Sequence, residues 1–156
     1  MKGLPLIALL MLGVMVALAY PATSEQITVT AEVPTYVSVV FNYNTVSFGT
    51  VQLGTTDYPA PGNSQGLYNV TVVSNTYVNI SIVREPWSPY DYLILKFARG
   101  TTIPTNPEYE VATSPQQVGG MIFGSFTDYH AYWLTAPAWV PAGSYSTTVT
   151  ITYLPA

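Results

Sequence analysis

Ile27-Thr28-Val29-Thr30-Ala31-Glu32-Val33 alternates without a break between apolar and polar side chains. Successive side chains on a strand point to opposite faces. Ile27, Val29, Ala31 and Val33 therefore share one face, Thr28, Thr30 and Glu32 take the other, and the stretch reads as a half-buried β-strand. It precedes every other strand-like segment of the chain. A strand at a chain end has two places to pair: inside its own sheet, or along the open edge of a neighbour's sheet.

Upstream of it, Lys2 is followed by an apolar run from Leu4 to Leu18. That run is shorter than the ~20 residues of a comfortable membrane span. It ends in Ala17-Leu18-Ala19, which has the small-x-small form of a signal-peptide cleavage site. Residues 1–19 are thus expected to be a signal peptide, 20–34 a linker with an N-terminal donor strand, and 35–156 a β-sandwich domain. The expected product is secreted and stands at the cell surface with no membrane anchor after cleavage. A rival reading takes Lys2-Gly3 as a pilin-type cleavage site and keeps the apolar run as a filament-core helix. Pro5, the shortness of the run and the Ala17-Leu18-Ala19 site oppose it.

Downstream lies one domain's worth of chain, long enough to bury a core. Charged residues make up 8% of the whole, against a usual ~25%. The apolar fraction of 49% separates the chain from disordered sequences, which are poor in such residues. There is no cysteine, so a small exported domain must be held by its core or by assembly. Four Lys and Arg and a net charge of −4 oppose a nucleic-acid partner, which needs clustered cations.

Further strands follow from period-two patterning. Val37, Val39 and Phe41 share a face within Tyr36–Phe41. Val46, Phe48, Val51 and Leu53 form an apolar series whose parity shifts at Gly49-Thr50, which predicts a bulge there. Residues 54–66, with Pro59, Pro61 and Gly62, read as a loop. Tyr68, Val70 and Val72, then Val78, Ile80 and Ile82, give the clearest inward faces. A two-residue turn at Asn75-Thr76 would set Val72 against Asn79, so a hairpin there needs an odd loop or a bulge. Leu93, Leu95 and Phe97 begin another strand, and residues 99–120 read as a long polar connection. Met121–Phe126 and Tyr129–Leu134 are further candidates. Tyr145, Thr147, Val149, Ile151 and Tyr153 face one way in a long closing strand. About eight or nine short strands with turns between them predict an all-β, two-sheet antiparallel sandwich of the immunoglobulin-like or jelly-roll kind.

Chemistry-bearing residues are few. His130 is the single histidine; on a strand it shares a face with Asp128, a spacing that suits a local hydrogen bond and marks no nucleophile. Neither a Ca²⁺-loop spacing nor a zinc-ligand set is present, and no cofactor is expected. Asn69-Val70-Thr71 and Asn79-Ile80-Ser81 are sequons with both asparagines on the outward face, which makes Asn69 and Asn79 candidate glycosylation sites. Trp87, Tyr90, Tyr92, Trp133 and Trp139 form either a stacking platform for sugars or core and interface packing.

The run Val46-Ser47-Phe48-Gly49-Thr50-Val51, then Leu53-Gly54-Thr55 and Tyr68-Asn69-Val70-Thr71-Val72, looks like the opening of exported β-sandwich subunits. The ending Pro141-Ala142-Gly143-Ser144-Tyr145 with its Thr-Val-Thr-Ile-Thr-Tyr tail resembles their closing strand. With the N-terminal strand added, the chain resembles the archaeal bundling pilins, relatives of TasA-type biofilm-matrix fibre subunits and of archaeal surface threads. The resemblance implies no enzyme but a head-to-tail homopolymer made by donor-strand complementation, with lateral bundling and a part in cell–cell adhesion or biofilm. It implies Ile27, Val29, Ala31 and Val33 as the groove-filling side chains. A monomeric surface module binding glycan or protein through its loop aromatics is the alternative.

Overall fold

The computed structural model describes Thr28 and residues 30–156. The expected signal peptide, Ile27 and Val29 lie outside the described residues. The chain divides into a segment ending at Glu32 and a compact unit from Val33 to Ala156. Of the first segment, Thr28 and residues 30–32 are exposed and belong to no strand, and so is Val33 at the start of the second.

The compact unit is a sandwich of two antiparallel sheets, as the alternation predicts. The first sheet has the order β1 (Val37–Phe41), β3 (Asn69–Ser74), β9 (Phe126–Ala136), β5 (Ile94–Gly100) and β6 (Tyr109–Glu110). β2 (Thr55–Pro59) pairs with the far end of β9, beyond β3. In the second sheet β4 (Tyr77–Arg84) lies between β10 (Val149–Pro155) on one side and β7 (Gln116–Gln117) and β8 (Ile122–Phe123) on the other. Val70 and Val72 of β3, Val78, Ile80 and Ile82 of β4, Leu95 and Phe97 of β5, and Tyr132 and Leu134 of β9 fill the space between the sheets. Those on β3, β4 and β5 are the side chains that period-two patterning sets on one face of each strand.

Four expectations change. β3 and β4 do not form a hairpin: β3 pairs with β1 and β9, β4 with β10, β7 and β8, so the turn at Asn75-Thr76 is a corner between sheets. The register conflict between Val72 and Asn79 vanishes because the two strands never face each other within one sheet. Residues 42–54 carry no strand, although Val46, Phe48 and Val51 still pack on the core; Gly49 takes φ +65°, a conformation only glycine adopts freely. The loop expected over residues 54–66 instead holds β2 and a 3-10 turn, Asn63–Gln65. The connection over 99–120 contains the short strands β6 and β7.

Asn63 explains how one long strand serves two partners. β3 pairs with β9 only as far as Tyr129, and β2 pairs from Trp133 onward. In the gap, the buried Asn63 side chain donates to the Tyr132 carbonyl at 2.7 Å and accepts from the Tyr132 N–H at 3.1 Å. A side-chain amide thus replaces a strand residue and leaves no buried backbone group of Tyr132 unpaired.

Candidate functional site: an open groove beside the last strand

β10 has one occupied and one open edge. Glu85 N–H donates to the Thr148 carbonyl at 2.8 Å, and the Ala156 N–H to the Tyr77 carbonyl at 2.9 Å. In an antiparallel ladder the bonded positions alternate, so residues 148, 150, 152 and 154 bond toward β4. The N–H and C=O groups of Val149, Ile151 and Tyr153 then face the other way. Among the described residues β10 ends its sheet, and no strand meets them there. Their side chains point inward, half-buried against the core, while Thr148 and Thr150 are exposed.

That edge borders a groove of about 940 Å³, at the upper end of what ligand pockets occupy. One wall is the strandless segment from Tyr43 to Val51, the other Tyr145 to Ile151; Trp87, Leu93, Leu95 and Leu134 form the floor. Among the described residues no charged side chain lines it. The buried Trp87 has no partner for its indole N–H among the described residues, and a buried donor left unpaired is costly. The groove offers an apolar floor and a row of backbone groups without partners among the described residues. An extended chain matches both.

A polar network links Tyr43, in one wall of the groove, to Tyr153 on β10, two residues beyond the other wall. Asp128 Oδ2 accepts from Arg99 Nε at 2.8 Å, from Tyr153 O–H at 2.6 Å and from His130 Nε2 at 3.1 Å. Tyr43 O–H lies 2.5 Å from His130 Nδ1 and 2.6 Å from Tyr132 O–H. Tyr43 opens one wall and Tyr153 sits on β10, so β9 ties both to itself. Arg99, Asp128 and His130 are all buried. Burial alone would raise the Asp128 pKa; hydrogen bonds from His130 and Arg99 outweigh it and hold the carboxyl below its ordinary value. Burial pushes His130 down, against the pull of Asp128. Burial also pushes the Tyr43, Tyr132 and Tyr153 hydroxyls up, so all three remain protonated donors. Asp128 Oδ1 and Arg99 Nη2 are left without partners among the described residues, so the pair is joined through the single Nε–Oδ2 bond.

The remaining candidate residues separate. Trp87 lies in the groove floor and Trp133 is buried with Ala98 and Ala131, so neither belongs to an exposed platform. Tyr90, Tyr92 and Trp139 do come together at the surface: Tyr90 stacks on Tyr92 at 5.2 Å, and Trp139 meets Tyr92 edge-on at 5.0 Å. Asp91 pins their loop by pairing with Arg84 at 2.5 Å and accepting the Trp87 N–H at 3.0 Å. The Asn69 amide is engaged, donating to the Gly66 carbonyl at 2.9 Å and accepting from Asn42. Asn79 accepts from Gln117 at 3.1 Å through its oxygen, which leaves its nitrogen clear for a glycan. Ala31 and Val33 are exposed. Among the described residues no group of three or more His, Asp or Glu is arranged to hold a metal ion.

Sequence reasoning missed the network's reach, because Arg99, Tyr43 and Tyr153 come from three segments far from Asp128 in sequence. It missed the Asn63 surrogate, a lone polar residue in a loop with no signal of its own. No protein-family model matches the chain, and no curated protein matches it.

Proposed function

We propose that the chain is the structural subunit of an extracellular filament and polymerises head to tail by strand donation. The Ile27–Val33 strand of one copy fills the groove beside β10 of the next. The observation that carries this reading is the groove itself: an apolar, strand-shaped gap flanked by an open sheet edge. The alternation of Ile27, Val29, Ala31 and Val33 matches it, with side chains entering the floor and backbone groups meeting those of Val149 and Ile151. The signal-like residues 1–19 support export, and the absence of cysteine supports a fold completed by assembly.

The position of the chain's entry supports donation in trans. Pro34–Tyr36 is held at the β3–β4 corner: Tyr36 N–H donates to Asn75 Oδ1 at 2.8 Å, and Asn75 donates to the Tyr36 and Pro34 carbonyls at 3.2 and 2.8 Å. That corner lies near the Pro155 end of β10, since Pro155 pairs with Val78. The groove lies toward the Val149 end, roughly 20 Å away at ~3.3 Å per residue. Copies stacked end to end would send the arm of one into the open end of the next groove. The arm would then run antiparallel to β10, the pairing that gives the better ladder. Burial of Ile27, Val29 and Val33 contributes about 5–9 kcal/mol gross, before the cost of ordering the arm.

Electron microscopy of the purified mature chain tests this, alongside the chain that starts at Pro34. Filaments are expected from the first and none from the second. The second should instead bind a synthetic peptide covering Gln26 to Val33. Monomers of the mature chain with no affinity of the shortened one for the peptide would sink the reading.

A further inference from the structure

Two exposed aromatic patches lie at opposite ends of the compact unit. At the groove end are Tyr90, Tyr92 and Trp139, the last 66% exposed. At the entry end are Tyr36, Tyr77 and Phe123, where Phe123 is 63% exposed and meets Tyr77 edge-on at 5.0 Å. Both are built on fixed backbone: the first by the Arg84–Asp91 pair, the second by the Asn75 clamp on Tyr36 and the Tyr77–Phe123 register. We propose that these patches are the two halves of one contact between successive copies of the chain, made around the donated strand. The inference rests on the strand-donation reading and adds to it the globular surfaces that close each junction.

Tether length forces them together. Val33 ends the donor strand, and Tyr36 is three residues further on, a reach of about 10 Å at most. If Ile27–Val33 lies in a recipient's groove, the Tyr36 patch must stand at the mouth of that groove. Val140 and Pro141 line that groove, and the exposed Trp139 immediately precedes them. Area points the same way. Six aromatic rings, each about half exposed, bury on the order of 600 Å², well short of the ~1,200 Å² at which stable interfaces begin; the arm supplies the remainder. Neither patch contains a charged side chain, and Asp91 beside Tyr90 is already paired with Arg84, so no like-charge repulsion opposes closure. The two surfaces differ, so the contact is heterologous and repeats without closing, as a filament requires.

Charge substitution in the full mature chain tests it, with elongation read by sedimentation and microscopy. Trp139→Lys alone and Phe123→Glu alone should each lower elongation roughly thirtyfold, the effect of losing a hot-spot residue. The chain carrying both should recover most of the loss, because lysine of one copy then meets glutamate of the next. Binding of the Gln26–Val33 peptide to the unit from residue 34, measured with the same substitutions, should not change, which also shows that the fold survives. Single variants that elongate like the parent while the peptide still binds would overturn this inference and leave strand donation standing. Loss in the single variants without recovery in the pair would overturn the matching of these two patches. Retention of the parent on a neutral polysaccharide resin, abolished by Trp139→Lys with elongation untouched, would assign the groove-end patch to glycan instead. A parent that neither elongates nor binds the peptide overturns both readings.

Discussion

Asp128 is the residue on which the interior depends most. It is fully buried, accepts from Arg99, Tyr153 and His130 through one oxygen, and is the only counter-charge described for Arg99. Asp128→Asn keeps the shape but leaves a guanidinium buried and unbalanced, a change that costs about 3–5 kcal/mol. Chemical unfolding should show an unfolding free energy lower by that amount, and Arg99→Met together with Asp128→Asn should lose less than Asp128→Asn alone. The same cluster makes stability sensitive to acid. His130 and Asp128 both have folded pKa values below their ordinary ones of 6.5 and 3.8. The unfolded chain therefore binds more protons, and stability falls as pH falls. The first loss starts below 6.5, where unfolded His130 takes a proton that the buried ring refuses. The second starts below 3.8 and runs through the folded value of Asp128. Thermal melts from pH 8 to pH 3 should descend in these two steps, and His130→Phe should remove the first. The sequence disclosed that Asp128 and His130 share a face, because strand parity is local. It did not disclose what that face meets, because the partners are set by sheet packing.

At the scale of elements, parity proved legible and pairing did not. Every inward face named on β3, β4, β5 and β10 is inward, since burial of alternate side chains is written directly in residue type. Which strand lies beside which is not written there: β3 and β4 look like a hairpin and stand in different sheets. β2 was hidden because Thr55–Pro59 contacts the sheet through its backbone at the end of β9, so Asp57 and Pro59 gave it the look of a loop. The strandless wall from Tyr43 to Val51 looked like a strand because its apolar side chains do face the core, while its backbone finds no ladder partner within the compact unit. β10 gives the sharpest test at this scale. When the Gln26–Val33 peptide is added to the unit from residue 34, hydrogen exchange should slow at the amides of Val149 and Ile151. The amides of residues 150 and 152, inside the β10–β4 ladder, already bond toward β4 and should change little. Slowing at the even positions, or at none, would mean that the peptide does not extend the sheet at this edge.

At the scale of the whole molecule, the proposed strand donation gives each copy one donor and one acceptor, and disabling them separately then has consequences that no monomeric module would show. Val29→Asp places a carboxylate on the groove-facing side of the arm. Forcing it into an apolar groove lined by no charged residue among those described costs several kcal/mol, so this chain cannot donate, yet its own groove is intact. Val149→Asp places the charge in the groove wall instead. The half-buried side chain sits at the open end of β10, so this chain cannot accept, yet its arm is intact. Neither variant alone should form filaments. Mixed in equal amounts they can make a single productive junction, the arm of the Val149→Asp chain in the groove of the Val29→Asp chain. Growth then stops, because the complex presents only a disabled arm and a disabled groove. Light scattering should therefore report monomers for each variant and a dimer for the mixture. Either variant added in small amount to the parent should shorten filaments in proportion to its fraction, since each incorporated copy ends growth in one direction. Filaments of unchanged length, or a mixture that stays monomeric, would show that the arm and the groove are not the two sides of the junction.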